Sequence, residues 1–99
     1  MHVSDLLRRE IAARFAAADA PGVLVRLTET PLPFLDAPDR ARDRDRVHLA
    51  ILKVADGNLQ RFEAALALAA RDWRDLLVGA GLAHGNWPDV LRAAGYPVP

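Results

Sequence analysis

The residue types that could do chemistry are few in this chain, and their spacing matches no catalytic or metal-binding arrangement. The histidines are His2, His48 and His84, and none lies three or four residues from another, as two metal ligands on one helix would. There is no cysteine, which excludes a thiol nucleophile and a cysteine zinc site. We therefore predict no metal and no cofactor.

The chain also has few residues that could perform nucleophilic or acid–base catalysis. Ser4 is the only serine, and it stands where it would cap a helix. Asp72 and Asp75 form a pair of carboxylates, but Arg71 and Arg74 flank them, favour their ionised form and work against a general acid. Helix capping and surface pairing account for both aspartates, so we expect a protein that is not an enzyme.

The composition describes one small folded domain. The chain has 99 residues, of which 52% are apolar and 26% charged. Thirteen basic and thirteen acidic side chains give a formal net charge of zero, which argues against strong non-specific binding to nucleic acid. No apolar run is long enough to span a membrane and the first residues lack the core of a secretory signal, so we expect a cytoplasmic protein.

Apolar residues recur at helical spacing along most of the chain, and they predict an all-α bundle of five or six short helices. The first helix is predicted over residues 5–18 and ended by Pro21-Gly22. Residues 23–29 are predicted to form a second helix, although the start of this segment could also be a strand. The helix over residues 47–55 is apolar on two faces, with Val54 on one of its apolar stripes, which predicts a central position.

The second half of the chain carries strong signals for helix ends. Gly57 suits the left-handed position after a helix, and Asn58 can cap the next helix. Asp72 is predicted to interrupt the following helical pattern and to cap a new segment. Gly81 and Gly95 each precede a large apolar residue, and this pattern is typical of the Schellman motif.

A segment rich in proline, residues 30–39, separates the two halves. Its three prolines exclude a regular helix and predict an irregular strap. Leu32 and Phe34 in this strap are large and apolar, so they could be buried over the helices or presented to a partner. We divide the single domain 1–99 into N-terminal helices with the strap, 1–38, and a C-terminal helical unit, 39–99.

Two segments carry a resemblance to other sequences. RDWRDLLVGAGLA, residues 71–83, precedes the ending WPDVLRAAGYP, residues 87–97. This stretch resembles small bacterial proteins of unknown function that carry similar segments in the same order. The resemblance covers residues 44–99 and, more loosely, PLPFL at 31–35. It implies a bacterial origin and one compact helical unit, and it implies no activity, cofactor or binding residue.

The remaining class of function is association with another protein chain. Large, stiff and amphipathic aromatic side chains are common anchors of protein interfaces. We predict a homo-oligomer, most simply a homodimer, or a complex with a protein partner. The residues predicted for this interface are Leu32, Phe34, Trp73 and Trp87.

The alternative is a helix-turn-helix regulator that binds DNA. Two consecutive predicted helices, 58–70 and 73–80, would form the motif, with Arg71 and Arg74 facing phosphate. The neutral charge disfavours this hypothesis. The second helix also offers mostly leucine and valine, whereas reading base edges requires polar side chains.

Overall fold

The fold is all-α, as the sequence predicts. The computed structural model describes residues 2–33 and 35–98, and it contains no strand in those ranges. A short 3₁₀ helix, Pro38–Arg40, precedes the third α-helix. The five α-helices are α1 (Asp5–Arg14), α2 (Ala20–Glu29), α3 (Ala41–Ala55), α4 (Leu59–Ala80) and α5 (Trp87–Ala93).

Helix α3 lies at the centre of the molecule. It packs along α4 and also contacts α1 and the 3₁₀ helix. Every residue from Val47 to Leu52 is buried, so all sides of this part of the helix are covered by other segments. The predicted central helix is therefore confirmed, because only a helix packed on several sides can be apolar on two faces. Side chains from both predicted parts of the chain join one core cluster around it.

The boundary between α1 and α2 differs from the prediction. Helix α1 ends at Arg14 and not at residue 18, because Phe15 adopts extended backbone angles. Pro21 does not end a helix but lies in the first turn of α2, where its missing N–H costs no hydrogen bond. The prediction that Pro21-Gly22 ends the first helix is wrong for this reason.

Helix α4 bends sharply at Asp72. This residue has extended backbone angles, and its Oδ1 accepts a hydrogen bond from the N–H of Asp75 at 3.2 Å. Arg61 and Gly79 would lie about 27 Å apart in a straight helix, yet both line one groove. The predicted interruption and cap are confirmed, and they divide α4 into a first arm, residues 59–71, and a second arm, residues 73–80.

The Schellman motifs are also confirmed. Gly81 has a φ of 76°, and the N–H of Leu82 donates to the carbonyl of Leu77 at 2.9 Å. After Gly95 the N–H of Tyr96 donates in the same way to a carbonyl five residues earlier, at 3.0 Å. Leu82 and Tyr96 are both buried, so each motif closes a helix and returns an apolar side chain to the core.

The turn between α3 and α4 packs against the end of α1. Gly57 has a φ of 76°, and a Cβ placed there would lie 2.8 Å from the backbone oxygen of Arg14. The Oδ1 of Asn58 accepts from the N–H of Arg61 at 2.9 Å and caps α4 as predicted. The turn thus requires glycine for its own conformation and for the approach of α1.

We expect Gly57→Ala to lower the free energy of unfolding by about 2 kcal/mol, because left-handed backbone angles and a contact with a rigid carbonyl both act against a Cβ. Gly22→Ala is the matched control, since a Cβ there meets nothing within 4 Å. We expect that helical substitution to raise stability by up to about 1 kcal/mol. Urea unfolding measures both changes, and equal effects at the two glycines would contradict the assignment.

The strap between α2 and α3 is fixed by a buried arginine. Nη1 of Arg44 donates to the carbonyl oxygen of Leu35 at 2.8 Å and to that of Ala37 at 2.6 Å. Leu32 and Leu35 are buried in the core on the same stretch of chain. The strap therefore lies over the helices. Its carbonyl groups do not belong to a regular helix, so their hydrogen-bond donor is the side chain of Arg44 on α3.

We expect Arg44→Met to reduce the free energy of unfolding by about 3 kcal/mol, since the change leaves two carbonyls without a charged donor. Arg40→Met is the control, because Arg40 is exposed and pairs only with Asp43 on the surface; a surface pair contributes at most about 1 kcal/mol. Thermal unfolding and proteolysis of the strap are the measurements. Equal stability of the two variants would show that the Arg44 contacts do not hold the strap.

Candidate binding surface

The structure separates the predicted interface residues. Leu32 is 1% exposed and Trp87 is 8% exposed, so both belong to the core. The guanidinium groups of Arg42 and Arg46 lie 5.0 and 5.7 Å from the centre of the Trp87 ring. We correct the prediction for Leu32 and Trp87, because packing within the chain already removes them from solvent. Phe34 lies outside the described residues.

Trp73 and the two arginines of the alternative hypothesis meet at one place. The bend of α4 brings Arg71, Trp73 and Arg74 around a shallow cavity of about 310 Å³. Pro33 of the strap forms another wall of this cavity. We call these four residues the kink surface. Three of the six residues that the sequence singled out are therefore neighbours, although they were assigned to two different functions.

The charges of the kink surface are open to a ligand. Arg71 and Arg74 are exposed, and neither forms an ion pair with any other described residue. The guanidinium of Arg74 lies 4.9 Å from the centre of the half-buried Trp73 ring. Asp72 also lines the cavity, but one of its oxygens caps the second arm of α4. The surface offers two guanidinium groups and an aromatic face to a carboxylate or phosphate.

The connection within α4 bears on the helix-turn-helix alternative. That motif joins its helices by a turn of three or four residues. In this chain only Asp72 departs from helical geometry between the two arms. The arms of α4 thus follow the predicted segments, but they lack the turn that sets the docking geometry of a helix-turn-helix.

A second surface was missed by sequence reasoning. Both arms of α4 and the end of α3 enclose an apolar groove of about 270 Å³, which we call the α3–α4 groove. Val54 on its wall is partly exposed, so its assignment to the buried stripe of α3 is wrong. Val78, the neighbour of Gly79 in the chain, is exposed. The signal in the sequence is that this valine lies off the apolar stripe that Leu76 and Ala80 form at helical spacing. The groove's main lining residues are Val54, Ala64, Leu68, Leu76 and Gly79.

His48 is a core residue and not part of either surface. It is 1% exposed, and its Nδ1 has no hydrogen-bond partner among the described residues. Burial, followed by the charge of Arg44 and a smaller contribution from His2, lowers the pKa of His48 from 6.5 to about 4. The imidazole is neutral at pH 7.

This pKa predicts acid sensitivity. In the unfolded chain His48 takes up a proton near pH 6.5, whereas in the folded chain it does so only near pH 4. The stabilisation is complete above pH 6.5 and is lost as the pH falls toward 4, by up to about 3 kcal/mol. Urea unfolding at several pH values measures the slope. His48→Gln should flatten the slope between these pH values, and an unchanged slope would assign it to other groups.

No cluster of three or more histidine, cysteine, aspartate or glutamate side chains that could hold a metal ion is found among residues 2–33 and 35–98. In the same ranges, no helix combines the length and the apolar character needed to cross a membrane.

No protein-family model matches the chain, and neither a curated protein nor a solved structure does.

Proposed function

We propose that this chain is a non-catalytic protein that acts by binding another protein, and that its kink surface binds an acidic segment of that partner. The single observation that carries the proposal is the position of Trp73, half-buried between two exposed arginines that form no ion pair with another described residue. A side chain of this size is only partly covered by its own chain. A partner that covers the rest of the ring would bury further apolar area.

The chemistry of the surface suggests the chemistry of the partner. Tryptophan and arginine are the residue types most enriched among those that dominate binding energy at protein interfaces. Arginine binds carboxylates through two parallel hydrogen bonds, and this geometry adds specificity as well as energy. Pro33 and Ala70 give the cavity two apolar walls. A segment with one or two acidic side chains next to an apolar residue would satisfy both features.

Nucleic acid is the second candidate for the same surface. The observation that favours it is that Arg71 and Arg74 are unpaired beside an aromatic ring, which suits a phosphate next to a stacked base. The neutral chain supplies no wider basic patch to support such binding. Protein association is the better supported function, and nucleic acid binding becomes an outcome of the experiment.

The test is a tagged pull-down from a bacterial host lysate, with and without nuclease, followed by affinity measurement with the recovered partner. We expect Arg71→Glu combined with Arg74→Glu to weaken binding at least tenfold, since charge reversal repels acidic side chains and central interface arginines contribute about 2 kcal/mol or more. Trp73→Ala should weaken binding to a similar degree. Circular dichroism verifies that both variants remain helical.

Arg9→Glu is the matched control, because Arg9 is an exposed arginine on α1 that does not line the cavity of the kink surface. It should leave binding unchanged. Partner binding that survives both kink variants would exclude this surface. Capture that is lost on nuclease treatment would favour the nucleic acid candidate, for which each arginine removed should reduce the salt dependence of binding by about one phosphate contact.

A further inference from the structure

The α3–α4 groove has the form of a site for an additional helix. Its walls are almost entirely apolar side chains from three segments, namely the two arms of α4 and the end of α3. Leu68 and Leu76 lie on opposite arms, and Val54 at the end of α3 lines the groove as well. A partner that covered these side chains would remove their apolar area from water, which is favourable.

Gly79 gives the groove an unusual wall. It lies within α4, and a Cβ built on it would meet nothing within 4 Å. Packing within the chain therefore does not require glycine there, and alanine would be the better helix former. Close approach of a helix from another molecule would require it, because small residues allow two helix backbones to come together.

A protruding side chain stands next to this wall. Val78 is 65% exposed, the highest value among the large apolar residues of the described chain. Asp75 lies one turn earlier on the same face of the helix, because residues three apart are neighbours on a helix surface. The second arm of α4 thus presents Val78 as a protruding side chain on one face. The face that carries Leu76 and Gly79 forms a wall of the groove.

The two arms of α4 carry opposite and unpaired charges. Arg61 on the first arm lines the groove, whereas Asp75 is exposed on the second arm and is not one of the lining residues. Neither side chain forms an ion pair with another described residue. Such a surface is complementary to a second copy of itself. Val78 of one copy can match the groove of the other, and Asp75 of one copy can match Arg61 of the other. A purely acidic or purely basic partner helix would leave one of the two charges opposed by its own sign.

We propose that a second copy of this chain occupies the α3–α4 groove. Val78 of each copy inserts into the groove of the other, with Asp75 facing Arg61 of the second copy. The same patch on both molecules then makes the contact, as in a two-fold symmetric dimer. This inference rests on the proposed association function, but it uses a different surface from the kink surface and commits to a different occupant.

Sedimentation equilibrium on the full chain over a range of concentrations tests the proposal. We expect a dimer whose dissociation constant rises at least tenfold in Val78→Asp, because the carboxylate would enter an apolar groove. Val25→Asp is the matched control, since Val25 is a half-exposed valine on α2 that does not line the groove. It should leave the dissociation constant unchanged.

A charge exchange keeps the test decisive if Val78→Asp fails to fold. Arg61→Asp and Asp75→Arg should each weaken the dimer, and the combined variant should restore it, because the pair is rebuilt with reversed signs. A wild-type chain that stays monomeric up to about 1 mM would overturn the proposal. A dimer that is indifferent to Val78→Asp, or that the charge exchange does not restore, would overturn it as well.

The dimer and the proposed partner binding can be refuted independently of each other. Arg71→Glu with Arg74→Glu should leave the dimer intact while it weakens partner binding at least tenfold, because both arginines line the kink surface and neither lines the α3–α4 groove. A monomer that still binds its partner through the kink surface would refute the dimer alone. A dimer that captures no partner through the kink surface would refute the proposed function alone.

Discussion

A helix that is covered on nearly all sides forces irregular segments to lie against it, and the carbonyl groups of those segments need donors. In this chain α3 supplies the donors from its own basic side chains. Arg44 serves the strap, both Nε and Nη2 of Arg46 donate to the carbonyl oxygen of Leu82, and Nζ of Lys53 donates to that of Ala80. The position of the strap and the end of α4 therefore depend on cations carried by one helix.

This use of cations separates the arginines that form hydrogen bonds or ion pairs within the described chain from those that form no ion pair there. Arg14 stacks on the ring of Tyr96 and donates to the carbonyl oxygen of Gly95, while Arg26 forms a two-point ion pair with Glu63. These side chains link α1 and α2 to the C-terminal turn and to α4. The arginines beside the bend of α4 form no ion pair within the described chain. The composition, with equal numbers of both charges, conceals this division between structural and available cations.

Local signals in the sequence predicted much of the fold, and long-range packing accounts for the errors. Asp72, Gly81 and Gly95 act on backbone groups within five residues, so their effects could be predicted from their neighbours alone. The exposure of Leu32 and Val54 depends on segments distant in the chain, which hydrophobic spacing does not specify. The kink surface could not be predicted from the sequence for the same reason, because nothing in the local pattern places Pro33 beside Trp73.

The contact between Gly57 and α1 has an evolutionary consequence. The backbone oxygen of Arg14 occupies the space where any other side chain would begin, and the left-handed angles at this turn disfavour a substitution independently. A descendant sequence can change most of its surface and much of its core by compensating exchanges, but it cannot replace this glycine without displacing α1. Position 57, followed by a capping residue, is therefore a marker by which divergent homologues of this fold could be recognised.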